Sequence, residues 1–220
     1  LEVHARGGIE AAQGCLQVDF ASRYLGGGIL TGGCVQEEIR FAVAPELLVG
    51  MLVSPYMRDE EAIVLRGSER FAETRGYARS LEYAGPFLDP CKRKADGTPD
   101  VELLAIDAVD YRRRDAATQY TDAHILRELG KARCGFKNDP RALPVATGNW
   151  GCGAFAGDPA LKAVIQWLAA SSEGRALRYF PFGDVRVGNL EGFASEARRR
   201  RMTVGALAQR LFRVGTQGGG

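Results

Sequence analysis

Two adjacent glutamates, Glu37 and Glu38, arrive directly after a glycine-rich run, and that order of residues points to a particular chemistry. Gly26, Gly27 and Gly28 open the stretch, Gly32 and Gly33 follow, and Gln36 leads the two acids into an apolar segment. Glycine lacks a Cβ, so such a run can turn through positive φ and bring its N–H groups close to an anion. A helix beginning near Val35 would aim the positive end of its dipole at the same place. An anion cradle running into paired carboxylates fits a site that binds phosphate and performs acid–base chemistry beside it. The same residues also fit a plain loop before a helix with a solvated acidic first turn, and at this level both readings stand.

A second glycine-punctuated stretch, Gly148-Asn149-Trp150-Gly151-Cys152-Gly153-Ala154-Phe155, strengthens the first reading. Two strand-to-helix loops, 26–34 and 148–157, can supply enough N–H donors to clasp a diphosphate from two sides. Neither has the G-x-x-x-x-G-K-[ST] spacing of a nucleoside triphosphatase, and neither has the G-x-G-x-x-G pattern with a ribose-binding acid downstream. Cys152 would need a base to act as a nucleophile, and neither His4 nor His124 stands in a partner motif. Tyr77, Phe155, Tyr179 and Phe182 cluster near these loops in sequence, although each taken singly reads as core.

The elements that must position these residues alternate between strand and helix. Residues 1–5 and 15–22 read as strands, the second placing Asp19 near its end, where α/β folds bind ligands. Val35–Phe41 reads as a helix that Pro45 breaks or restarts, and Glu46–Val53 as a second short one. Ala62–Arg66 looks like a compact buried strand, residues 69–85 a strand or ordered loop, and residues 89–100 an exposed excursion. Val101–Val109 is expected to be a strand, Tyr120–Ala132 a helix, and Ala176–Phe182 a strand. Asp158-Pro159 should cap and start a helix through Ser171, and Thr203–Phe212 falls in a final helical region. This alternation predicts a three-layer α/β/α sandwich. Several connections are too short for a crossover helix, so the central sheet should be mixed.

A length of 220 residues suffices for one core, expected over residues 1–215, with 216–220 a flexible tail. The net charge of +2 is too small to draw in nucleic acid by bulk electrostatics, so no direct DNA binding is expected. Five cysteines without a CxxC pair argue against a disulfide framework and against a zinc site, and they fit a reducing compartment. With no apolar run of membrane-spanning length and no leader-like start, the expectation is an intracellular, cytoplasmic protein, or a nuclear one if eukaryotic, without a membrane partner. Arg198 to Arg201 read as a solvated helix end rather than a polymer contact or nuclear signal.

With these residues in view, the sequence resembles the poly(ADP-ribose) glycohydrolases. Gly26-Gly27-Gly28, seven residues, then Gln36-Glu37-Glu38 is similar to that family's GGG-x(6–8)-QEE pattern. Leu16 to Ala21, Ala146 to Phe155, Leu161 to Gln166 and Tyr179 to Asp184 resemble further family blocks in the same order. The resemblance implies a macrodomain core and hydrolysis of the ribose–ribose O-glycosidic bond of poly(ADP-ribose), mainly from the free end, releasing ADP-ribose. It implies Glu38 as acid/base, Glu37 on the ribose hydroxyls beside the scissile bond, and Asp19 as a further catalytic-site carboxylate. Ile9, Glu10 and Tyr77 match adenine-side contacts. Asn149, Gly151, Cys152, Gly153, Ala154 and Phe155 would wrap the diphosphate, and Phe155 and Phe182 would shape the wall, with Gly26, Gly27, Gly28, Gln36 and Ser22 completing the substrate site. Ser22 stands where the family commonly has Asn, a shorter reach toward ribose. No cofactor and no metal are implied; the partners would be poly(ADP-ribose) or ADP-ribose and poly(ADP-ribosyl)ated proteins. Chemistry demands that the acid hold a proton at neutral pH, so burial and its neighbour's charge should raise Glu38 while Glu37 stays charged. A macrodomain that reads ADP-ribose without cutting it, and activity on a protein–ribose ester, are the alternatives.

Overall fold

The computed structural model describes residues 1–137 and 141–217. Six strands form the central sheet: β1 (Glu2–Val3), β2 (Leu16–Ala21), β3 (Ile63–Arg66), β6 (Glu102–Asp107), β7 (Val145–Gly148) and β8 (Leu177–Phe180), in the order β1-β8-β7-β2-β6-β3. All neighbours pair in parallel except β3, which runs antiparallel to β6, so the sheet is mixed as expected. β3 is an edge strand with alternate residues exposed, not the buried strand its apolar run indicated. The run is apolar because Ile63 and Leu65 face the core, while Val64 lies on the open side. Residues 69–85, expected to be a strand or an ordered loop, hold strand structure that lies outside the central sheet. They build a separate hairpin, β4 (Ala72–Arg75) and β5 (Glu82–Pro86), with Tyr77 in the connection.

Helices α1 (Gln36–Val43) and α2 (Leu48–Val53), with the turn Pro45–Leu47 between them, cover one face of the sheet, burying Phe41 and Leu47 against Ala21, Leu103 and Ala105. On the other face α3 (Asp122–Phe136) and α4 (Pro159–Ser172) enclose Leu16, Val18, Leu104, Ile106 and Trp150. Residues of β2 therefore divide by parity, even positions such as Val18 entering one core and odd positions such as Asp19 facing the α1 side. The predicted cap is present: Asp158 Oδ1 accepts the Leu161 N–H at 2.7 Å, with Pro159 in the first turn of α4. Helices α5 (Leu190–Arg199) and α6 (Val204–Gln217) complete the fold, α5 against β1 and α6 against α4. Helix α6 reaches two residues into the expected tail, whose last three, 218–220, lie outside the described residues. Arg199 and Arg200 pair with Glu196 on the same helix, as a solvated helix end would. Among the described residues no helix is long and apolar enough to cross a membrane, and no cluster of potential metal ligands occurs.

Candidate active site

Strands β2, β6, β7 and β8 run parallel, so their carboxyl ends share one edge, and the loops leaving that edge enclose a cavity of about 990 Å³. Strand β2 pairs with β7 only at Leu16 and Gln17 and then departs from it, opening a cleft. The edge of β2 exposed by that departure is satisfied by Gln36. Its Oε1 accepts the Phe20 N–H at 2.8 Å and its Nε2 donates to the Val18 carbonyl at 3.2 Å. Gln36 thus lines the cavity with its amide already engaged as a substitute strand.

The two glutamates sit where α1 begins, and four backbone N–H groups hold them. Ser22 and Gly26 donate to Glu37 at 2.8 and 2.7 Å, and Gly28 and Val35 donate to Glu38 at 2.9 Å each. These contacts explain the glycines. Gly27 has φ +52°, and a Cβ there would lie 2.6 Å from Glu38 Oε1 and 2.7 Å from Glu37 Oε2. The loop closes on the carboxylates only because nothing projects from that position. Both glutamates are buried yet line the cavity.

Asp19 is fully buried beneath them and does not line the cavity, so its part is to position, not to touch a ligand. Burial pushes the Asp19 carboxyl up to about 8 and that of Glu37 up to about 9, and the charge of Asp19 adds to the rise at Glu37. The expectation that Glu37 stays charged meets an upward shift at Glu37 itself, and Asp19 shifts the same way. The reason is depth: these two lie furthest from water. At neutral pH the pair holds a proton. Hydrogen bonding decides where it rests: both Glu37 oxygens accept N–H groups, whereas neither Asp19 oxygen has a partner among the described residues. Arg40, itself buried and lining the cavity, draws Asp19 in the opposite direction.

Across the cavity the 148–157 loop leaves β7. Asn149 lines the wall, its amide fixed by the Tyr179 hydroxyl at 2.8 Å and by the Pro181 carbonyl at 2.9 Å. Tyr179 is thus a buried support and not a wall residue. Gly151 has φ +72°, and a Cβ on it would meet Ala108 Cβ at 2.5 Å. Below the loop, the buried Lys162 places Nζ 4.2 Å from the centre of the Trp150 ring and pairs with Glu128. Cys152 is buried, its Sγ donates to the Trp150 carbonyl at 3.3 Å, and burial drives its thiol far above the ordinary range. Phe182 and Ala156 hold positive φ, at 51° and 57°, a strain that tends to mark ligand-binding segments.

Of the residues singled out in sequence, Glu10, Ser22, Gly27, Gly28, Gln36, Glu37, Glu38, Tyr77, Asn149, Gly151 to Phe155 and Phe182 come together around this one cavity. Ile9 does not line it; its side chain packs into the core with Ala12, Cys15, Ala146 and Phe180. Gly26 also lies outside the lining, its N–H on Glu37 and its α-carbon against Met51. Sequence reasoning missed Arg112 and Arg186, which line the cavity beside the second loop. Each is latched by an aspartate two residues earlier: Arg112 Nη2 donates to Asp110 at 2.5 Å and Arg186 Nη2 to Asp184 at 2.6 Å. The recurring Asp-x-Arg after β6 and after β8 was the available signal.

A parallel-centred α/β/α sandwich with a glycine-loop cavity at its carboxyl edge and carboxylates at its floor is a macrodomain-type module. The comparisons narrow this. The family model described as poly(ADP-ribose) glycohydrolase, macro domain fold, matches residues 1–189, and the chain belongs to that family. It is 35% identical over 296 aligned residues to poly(ADP-ribose) glycohydrolase 1 of Arabidopsis thaliana, covering 96% of this chain and 53% of that protein. It is 37% identical over 220 residues to poly(ADP-ribose) glycohydrolase 1 of Caenorhabditis elegans, covering 94% of this chain and 28% of that protein. The chain thus spans about half the length of the plant relative, and less of the nematode one.

Proposed function

We propose that this chain hydrolyses the ribose–ribose O-glycosidic bond of poly(ADP-ribose), working from the free end and releasing ADP-ribose. The observation that carries the reading is the pair Glu37 and Glu38, fixed by backbone N–H groups at the floor of a cavity whose far wall is a glycine loop. Family membership supports it, and so do the relatives' names.

In this reading the second loop, with Arg112 and Arg186, receives the diphosphate, which orients the attached ribose toward the floor. Cleavage develops oxocarbenium character at the anomeric carbon and negative charge on the leaving oxygen. Glu38 protonates that oxygen and then, as carboxylate, takes a proton from the attacking water. Glu37 faces the ribose hydroxyls, while the proton it shares with Asp19 spares the site a third buried negative charge. A cavity of this volume suits one terminal unit better than a stretch of polymer, which supports the exo mode. Poly(ADP-ribosyl)ated proteins would then be the source of substrate.

Incubating the protein with labelled poly(ADP-ribose) should release free ADP-ribose. Glu38→Gln should lose roughly 10²–10⁴-fold in turnover, the span of general acid–base catalysis, while retaining affinity for ADP-ribose. Binding of polymer without release by the parent protein would instead identify a reader of ADP-ribose.

A further inference from the structure

The turn that grips the glutamates carries a feature the cavity does not use. Ser22 and Gly26 point their N–H groups at Glu37, and between them Leu25 turns inward while Arg23 and Tyr24 turn out. Ser22 and Gly27, on either side, both line the cavity; Tyr24 stands just outside it. The Tyr24 carbonyl accepts the N–H of Gly27 at 3.1 Å, and Gly27 abuts both carboxylates. The Tyr24 side chain is 67% exposed and meets Tyr56, itself 41% exposed, at 5.2 Å between centroids and 65° between planes.

A single exposed tyrosine needs no explanation. This pair differs in being held. Arg23 Nη1 donates to the Tyr56 hydroxyl at 2.5 Å, and its guanidinium carbon lies 5.6 Å from the Tyr56 ring centre. The same guanidinium is anchored to Asp107 at 3.0 Å and to Asp59 at 2.7 Å, and the Met57 N–H donates to the Arg23 carbonyl at 2.9 Å. An aromatic pair is therefore placed beside the catalytic lip, Tyr56 fixed through Arg23 and Tyr24 resting against it at a steep angle, with part of the ordering done before binding.

We infer that Tyr24, Tyr56 and Arg23 form a stacking platform for the adenine of the unit left behind when the terminal ADP-ribose departs. The inference rests on the poly(ADP-ribose) reading. In that polymer the leaving oxygen belongs to an adenosine ribose, on the carbon next to the one bearing the base. Its adenine must consequently lie close to the proton donor, outside the cavity that holds the terminal unit. The aromatic pair on the Glu37-gripping turn meets that requirement. Stacking also suits a repeating polymer, because it accepts a base without demanding an end group. The platform would favour polymer over single ADP-ribose units.

Binding in the Glu38→Gln background, which leaves the bond intact, tests this with two probes: ADP-ribose and the two-unit oligomer. The oligomer should bind about tenfold more tightly than ADP-ribose, a typical stacking contribution. Tyr24→Ala should remove that advantage without changing ADP-ribose affinity, and Tyr24→Phe or Tyr24→Trp should keep it. With Glu38 restored, Tyr24→Ala should raise KM for polymer more than it lowers kcat. Equal weakening of both probes would reduce Tyr24 to a support of the glycine loop and overturn the platform. So would an oligomer that gains nothing over ADP-ribose. If the parent cuts no polymer yet the oligomer's advantage depends on Tyr24, the hydrolase reading fails and the platform stands.

Discussion

The two glycine-rich loops look alike in sequence but bring different side chains to the cavity. The 26–34 loop closes over acids: Glu37 and Glu38 accept its N–H groups, with Asp19 buried below. The 148–157 loop rests on the buried Lys162–Glu128 pair and is flanked by Arg112 and Arg186, each latched to an aspartate. The carboxylates at one loop suit positive charge developing in front of them, and the arginines beside the other suit a bound anion. A diphosphate attached to a ribose that becomes oxocarbenium-like carries those charges in that order. What the comparison teaches is that glycine supplies only close approach. The side chains under each loop decide what approaches.

Substitution of one crowded glycine in each loop should separate these roles. Gly27→Ala drives a methyl between the two carboxylates and should cut turnover about 10²-fold, the lower end of what general acid–base catalysis provides, with a smaller effect on ADP-ribose affinity. Gly151→Ala forces the second loop away from Ala108 and should do the reverse, weakening ADP-ribose roughly tenfold, a change of about 1.4 kcal/mol. Steady-state turnover of polymer and calorimetric titration of ADP-ribose report the two effects. Identical profiles for the two variants would remove the distinction between the loops.

The smallest expected effect concerns stability. Asp19 and Glu37 bind protons more tightly when folded, up to about 8 and about 9, than at the ordinary carboxylate values of 3.8 and 4.5. Their contribution to stability is accordingly complete below those ordinary values and is lost as pH rises through the folded ones. The unfolding midpoint of the ligand-free protein should fall as the buffer is moved from about pH 5 to about pH 9. Asp19→Asn, which cannot ionise, should flatten that fall. An unchanged slope in the variant would show that the proton of the acidic floor is held elsewhere.

Much of this arrangement was legible in the chain itself. The Gly26–Glu38 stretch and the Gly148–Phe155 stretch named the site, the cap at Asp158 fixed the start of α4, and the strand–helix alternation indicated the sandwich. The hairpin β4–β5 was not legible, because aromatic residues of mixed charge do not reveal whether a segment joins the main sheet or builds its own. Arg112 and Arg186 escaped notice for a related reason. Charged residues in loops are ordinary until two distant loops bring them to one cavity.

Local chemistry thus determined which residues could cradle phosphate and which could carry a proton, since backbone freedom and side-chain acidity belong to each residue type. Tertiary structure alone decided that Gln36 would complete an abandoned strand edge, that Ile9 would enter the core, and that Glu37 and Asp19 would share the upward shift. Those outcomes depend on depth from water and on partners many residues away, quantities that no spacing along the chain contains.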